Sequence, residues 1–342
     1  MRQWTWGLLA AIAIMTAAVT AKADPFPVST LFADFNVITN GNFATNSDAD
    51  GQVLVGGNLS GNGQLDKNGS AQACCTTPVP NYAEVNVFGN NTGSWSGIGS
   101  IRALVGGTNS GTFHSPPYVL IATGYTFPGF NQPGAGSNAA TFANDIWAPL
   151  TGTSSTLSTL AANSTFNSTT GVLNGVAGPN GAVFSIPLST LNGFTGTLSL
   201  GGCLALSTPC DAVINVTGTG SFAQAFAFPT ADQQPGLPNI LFNFVSASGV
   251  AYGAQYFEAS ILAPFAVASN NGTNPLVGDL FASSVSATAP LGNEIHYAPF
   301  DCSDNLCSSM TGPPNGGVPE PTSLGLLAAG LGAFAAIRRR RA

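Results

Sequence analysis

Charge is scarce in this chain, and positive charge is nearly missing from its middle. Asp, Glu, Lys and Arg make up 7% of the 342 residues, where an ordinary soluble domain has roughly 25%. Between residues 24 and 317 only Lys67 and Arg102 are basic, against fourteen acids, a formal net charge of −12. A protein that binds nucleic acid by neutralising phosphates needs clustered Lys and Arg, so that class is excluded. Histidine is nearly absent too, with His114 and His296 far apart in the chain. There is no H-E-x-x-H and no G-x-S-x-G motif, so neither a zinc protease helix nor a nucleophile elbow is written locally. No C-x2-C pair occurs, which argues against structural zinc. Low charge does not mean disorder here. Hydrophobic residues are 44% of the chain, with 22 Phe, enough for a substantial core.

The two ends are legible as addresses. Arg2, the apolar run Gly7 to Val19 and the small-x-small pattern Ala21-Lys22-Ala23 form a secretory signal peptide, residues 1–23, with the mature chain starting at Asp24. The other end has three parts in order. Val318-Pro319-Glu320-Pro321 comes first, then the small and apolar stretch Ser323 to Ile337, then Arg338-Arg339-Arg340-Arg341. The middle part would span about 22 Å as a helix, short for a hydrocarbon core of about 30 Å, though arginines can snorkel to extend it. The positive-inside bias keeps the Arg cluster cytoplasmic and leaves residues 24–317 outside.

This tripartite order, residues 318–342, resembles the PEP-CTERM sorting signal of Gram-negative bacteria. The resemblance implies recognition by an exosortase-type membrane protease, with processing near Pro319-Glu320-Pro321. It also implies transient residence in the inner membrane, export to the envelope, surface or matrix, and a producer of extracellular polysaccharide.

Between the addresses the chain is mainly β in character. Runs of Val, Ile, Phe and Thr are cut every few residues by Gly, Asn or Pro. Examples are Gln52 to Val55, Ala83 to Phe88, Tyr118 to Ala122, Thr195 to Leu200, Val213 to Val216, Ile240 to Val245 and Phe257 to Ala263. An echo links Val53-Leu54-Val55-Gly56-Gly57-Asn58 with Ala103-Leu104-Val105-Gly106-Gly107-Thr108, and more faintly with Leu198-Ser199-Leu200-Gly201-Gly202-Cys203. Short strands ending in Gly-Gly corners predict a right-handed β-helix or solenoid-like domain, with a β-sandwich as the alternative. One accessory helix is expected near residues 138–162. It is N-capped by Ser137 and runs to Trp147, Pro149 bends or ends it, and a further turn follows at Leu157 to Ala162.

The same region resembles the choice-of-anchor A domain over residues 31–301. Its opening is carried by Phe35-Asn36-Val37, Asn46-Ser47-Asp48-Ala49-Asp50-Gly51 and Val55-Gly56-Gly57-Asn58. Its close is carried by Asn239 to Phe244, Phe257 to Pro264, Gly278 to Val285 and Asn293 to Phe300. The resemblance implies an exported adhesive β-helical domain joined to the sorting tail by a Gly/Pro-rich linker, residues 302–317. It supplies no catalytic residues. Ala259 departs from the Gly usual in that family.

Six cysteines in an exported chain suggest disulfides. Cys203 with Cys210 and Cys302 with Cys307 would close short local loops; Cys74 and Cys75 could bridge each other or reach other partners. Asp48 and Asp50 resemble half a calcium loop, but the downstream Glu is missing, and Leu59 stands there. Glu258, Asp279 and Glu294 could cleave a glycosidic bond only if two of them face each other at about 5–10 Å. Abundant Asn, Ser and Thr, as in Thr151 to Thr170, could form a flat polar face suited to sugar polymers or, at the extreme, ice. The expectation is a non-enzymatic adhesive or structural surface protein without cofactor, with a secreted polysaccharide-acting enzyme or a passive matrix component as the alternatives. Its expected partners are the sorting protease and an extracellular polysaccharide or matrix protein, not nucleic acid.

Overall fold

Residues 26–65, 82–96, 101–114, 118–127, 137–207, 209–228, 239–286 and 294–300 are described by the structure, a computed structural model. Consecutive short strands do not form hairpins. Among the described residues every strand pairing is parallel except the antiparallel pair Thr165–Asn167 and Val172–Gly175. Parallel neighbours need a long connection between them. Here the connection is the rest of a coil, and successive turns of chain lay their strands on up to three faces. The β-sandwich alternative, which is built from antiparallel pairs, does not form.

Face A is the longest. Its strands lie in the spatial order Ala182–Pro187, Ala212–Thr217, Ile240–Phe244, Ser260–Asn270, Leu280–Ser286, Phe35–Thr39, Gln52–Val55, Val85–Val87, Ile101–Val105 and Tyr118–Ala122. Face B carries Gly220–Ala223, Ala247–Tyr252, the second halves of Ser260–Asn270 and Leu280–Ser286, then Phe43–Thr45, Leu59–Gln64, Ser94–Ser96 and Thr112–Phe113. Face C is shorter and broken. It includes Ser199–Gly202, Phe257–Glu258, Leu276–Val277 and Ile295–His296, and Ala49 bridges Ile295 to Leu65. Phe257 to Ala263, a single run in the sequence, turns a corner. It splits into Phe257–Glu258 on face C and the start of Ser260–Asn270 on face A.

The spatial order departs from the chain order at one place. Val37, Ile38 and Thr39 pair with Leu280, Phe281 and Ala282. The first described strand therefore stacks on the last coil, in the middle of the body. From there the chain winds to one end at Tyr118–Ala122, crosses to the other end, and winds back to meet that strand.

The crossing is made by the accessory helix. It consists of α2 Asn138–Thr141, a π-helical stretch Phe142–Trp147 and α3 Ala148–Ser158, and α1 is the short N-terminal helix Val28–Asp34. Ser137 caps α2, accepting the Ala140 N–H at 3.3 Å. Asn138 lies against Gly106 at one end of the strap, and near the other the Asn215 amide donates to the Leu157 carbonyl at 2.8 Å. Those coils are seven strands apart, about 34 Å at about 4.8 Å per step. Twenty-one helical residues at about 1.5 Å give about 31 Å, so the strap length matches the stack.

Pro149 does not end the helix. It falls at the start of α3, directly after the π-helical stretch, where Ala148 N–H reaches back to the Ala143 carbonyl. Proline has no N–H for the Asp145 carbonyl. That carbonyl instead accepts the Phe26 N–H at 2.8 Å, and so the lost bond becomes a docking point for the N-terminal segment.

The core has two layers. Inside the coils lie Val37, Val53, Val55, Val85, Val87, Val105, Ile214, Phe242, Phe244 and Ile261. The outward side of face A is apolar as well. Ile38, Leu54, Val213, Leu241, Leu262 and Phe281 lie under Phe32 of α1 and Ile146, Leu150 and Leu157 of the strap. This explains continuous apolar strands such as Phe35–Thr39 and Ile240–Phe244, buried along their whole length, because a parallel sheet covered on both sides has no polar alternation. Asn243 is the main polar group in this layer. Its amide donates to the Ser154 carbonyl and to Asn215 Oδ1, and its oxygen accepts the Ser154 hydroxyl.

Candidate functional site: the open face B

Among the described residues no helix covers face B. Its inward residues are large and apolar: Phe43, Leu59 and Trp95 are fully buried. Its outward residues are small and uncharged, and parallel register stacks them in rows along the body axis. Asn62, Ser94 and Thr112 form one row. Ala44 and Ser60 are partners in a second, and Thr92 and Ser110 continue it. Asn42, Asn58, Asn90 and Thr108 form a third, at the corner with face A. Asn42, Asn58, Asn62, Asn90, Thr92, Ser94, Thr108, Ser110 and Thr112 are all exposed. Rows repeat every ~4.8 Å across strands and alternate residues every ~6.8 Å along them.

Glycine holds the face close-packed. Gly61 has φ +109°, and a Cβ there would strike the Thr45 carbonyl oxygen. Trp95 fills the coil beneath, its indole N–H donating to Asn91 Oδ1 at 2.9 Å. A ligand therefore meets a shallow grid on a rigid support.

The other half of face B is smaller and more apolar. Ser221, Gly249, Val267 and Ser284 form one row and Ala223, Ala251, Ser269 and Ser286 the next. At the corner, a register shift between Ala263 and Val267 pushes Phe265 out. Phe265 is 60% exposed and Val267 43%.

The sequence reading expected a polar face from segments such as Thr151 to Thr170. That segment instead holds α3, the end of the strap and the edge strand Thr165–Asn167. The Gly-Gly echo was the better signal. Gly57 and Gly107 sit at the same A–B corner, with Gly89 of the intervening coil between them, each N–H donating to the preceding Gly carbonyl. The third echo lies on another face, where Gly202 turns with φ +60°.

The charged candidates among the described residues lie on and beside face C. Asp48 Oδ1 accepts the Gln64 N–H at 2.8 Å, and Asp50 faces His296 Nδ1 at 2.8 Å on face C. His296 Nε2 lies 3.4 Å from Glu294. Among the described residues no group of three His, Cys, Asp or Glu could hold a metal. His114 contacts Ser94 at 2.9 Å at the edge of face B, while Asp50 and His296 pair on face C. Asp279 is fully buried between Ser260 and the Phe300 N–H, which it accepts at 2.8 Å. Burial raises its carboxyl well above the usual carboxylate range. Glu258 is on the face C row with Val277 and His296.

Cys203 and Cys210 form the expected disulfide, with Cα atoms 5.6 Å apart. Ala21, Ala23, Asp24, Lys67, Cys74, Cys75, Cys302, Cys307, Val318, Pro319, Glu320, Pro321 and Arg338 to Arg341 lie outside the described residues. Among the described residues no helix is long and apolar enough to cross a membrane.

Residues 29–297 match the family model described as "Putative Ice-binding-like adhesive domain". Residues 317–341 match the PEP-CTERM protein-sorting motif. No curated protein and no solved structure matches the chain.

Proposed function

The chain belongs to the family of ice-binding-like adhesive domains, and from that premise we propose that face B is its adhesive surface. With a PEP-CTERM motif at its C-terminus, it is a protein exported to the cell envelope or surface. The function is contact, not catalysis, and needs no cofactor. Weak bonds from many small polar groups add up along the face, because linked contacts raise the effective concentration of the next. The single observation that carries this reading is the uncharged, exposed grid of Asn62, Ser94 and Thr112, Thr92 and Ser110, and the Asn corner row.

The exits of the chain support it. Phe26 docks on the strap, and Phe300 packs beside Phe32, with ring centroids 5.8 Å apart, next to Asp279 where faces A and C meet. In a three-faced body that corner lies opposite face B. Both ends of the described residues therefore leave face B clear.

The finer reading keeps the choice-of-anchor A kinship, a right-handed winding as parallel crossovers prefer, a cleaved signal peptide and exosortase-type processing near Glu320 after transient insertion of Ser323 to Ile337. The surface partner is an extracellular polysaccharide or a matrix protein. Attachment of producing cells to their matrix tests it. Thr92→Lys with Thr112→Lys should abolish attachment while leaving the melting temperature unchanged. Undiminished attachment by that folded variant would remove face B as the adhesive surface.

A further inference from the structure

The A–B corner holds more order than a generic polar surface requires. Asn42 Oδ1 accepts the Asn58 backbone N–H at 2.9 Å, Asn58 Oδ1 accepts that of Asn90 at 2.9 Å, and Asn90 Oδ1 accepts that of Thr108 at 2.8 Å. The Thr108 hydroxyl also donates to Asn90 Oδ1, at 3.0 Å. Three amides thus share one orientation. Their oxygens are spent along the axis, and their Nδ2 groups face solvent in line at a spacing of about 4.8 Å. Two coils beyond Asn42 on the same corner stands Phe265, 60% exposed beside Val267. From Phe265 to Thr108 the corner runs five strand steps, about 24 Å.

We infer that this corner binds one extended, uncharged polysaccharide chain laid along the body axis. The inference rests on the adhesive reading of face B and names its ligand. Phe265 supplies a flat apolar ring for the C–H face of a sugar, the role aromatic rings fill at contact sites. Asn42, Asn58 and Asn90 supply pre-oriented N–H donors to hydroxyl and ring oxygens, so little side-chain freedom is lost on binding. An equatorially linked pyranose chain is straight and advances by about one ring per strand step, so successive sugars meet successive amides. Charge decides against an anionic polymer. Residues 24–317 carry a formal net charge of −12, and Arg102 is held by a bidentate bond to Glu84, which leaves no free cation on this corner among the described residues to offset the repulsion. A protruding Phe265 also spoils the flatness that a lattice of ice would need.

The test is calorimetric titration of the purified full-length protein with cellohexaose, cellotriose and a galacturonic acid hexamer. Cellohexaose should bind at least 10-fold more tightly than cellotriose, and the anionic hexamer should bind weakest. Phe265→Ala should weaken cellohexaose at least 10-fold, and so should Asn58→Ala with Asn90→Ala. Ser199→Ala, exposed on face C, should change it less than 2-fold. The melting temperature of each variant reports folding. Because Phe265 is exposed, its variant keeps the test decisive if the double variant fails to fold. The inference is overturned if cellohexaose does not bind at millimolar concentration, if the anionic hexamer binds as well, or if Phe265→Ala leaves affinity intact. Should attachment still depend on Thr92 and Thr112 in those cases, the adhesive reading stands and only the ligand is wrong. Thermal hysteresis without sugar binding would assign the corner to ice and overturn the inference.

Discussion

The outer sides of face A and face B are wound from the same coils and have opposite fates. Face A turns Ile38, Leu54, Leu241, Leu262 and Phe281 outward and must be roofed by α1 and the strap. Face B turns outward Asn, Ser, Thr and Ala, and stays open. The coil interior beneath both is apolar. What separates a structural face from a functional one is therefore the set of outward residues, every second position in strands of identical geometry. A parallel sheet is normally covered on both sides, so an open face of small polar side chains needs a reason, and contact with a ligand supplies one.

Substitutions on the two faces should separate them. The largest effect is expected under the strap. Leu262→Ala removes a fully buried side chain and should cost about 3 kcal/mol in chemical denaturation. Thr112→Ala on face B should stay within about 0.5 kcal/mol. Equal losses at both sites would erase the distinction. Next comes the disulfide, which closes a short loop at the margin of face C. Cys203→Ser with Cys210→Ser should cost about 2.5 kcal/mol, from the entropy of a loop closed over eight residues. Its loss should leave face B binding unchanged. Asn243→Ala should follow at about 2 kcal/mol, since it strands the Asn215 oxygen and the Ser154 groups beneath the strap. Hydrogen exchange should then show α3 opening before the coils.

The smallest effect is a pH dependence on the face A side. Burial raises the carboxyl of half-buried Asp34, at the end of α1, to about 6. The folded protein holds this proton more tightly than the unfolded chain, whose Asp ionises near 3.9. This contribution to stability is present below about pH 4 and is lost as pH rises through 6. Asp34→Asn should remove that slope from melting curves measured between pH 4 and 7. An unchanged slope would mean that Asp34 is solvated.

Much of the fold could be read locally. Gly-Gly after a short apolar run marks a corner, and the strands Gln52–Val55, Val85–Val87 and Ile240–Phe244 fell where β-branched and aromatic runs lay. The Ser137 cap was a spacing signal and formed. Pro149 left a bend or an end open; the helix continues past it, with the π-helical stretch directly before it and the Phe26 N–H satisfying the freed Asp145 carbonyl. The polar face was anticipated in kind but not in place. Thr151 to Thr170 is richer in Ser and Thr than residues 42–112, yet only the latter are stacked in register on an uncovered face.

The sequence by itself determined the C-terminal sorting motif, the β character and the corners. Each depends on composition or on residues close together along the chain. Tertiary structure alone decided that Val37 pairs with Leu280, that the helix spans the stack, and that Asn42, Asn58, Asn90 and Thr108 form one line. Coil lengths vary, so no fixed period links those four residues. Only the parallel register, which stacks each coil on the last whatever its length, brings them together.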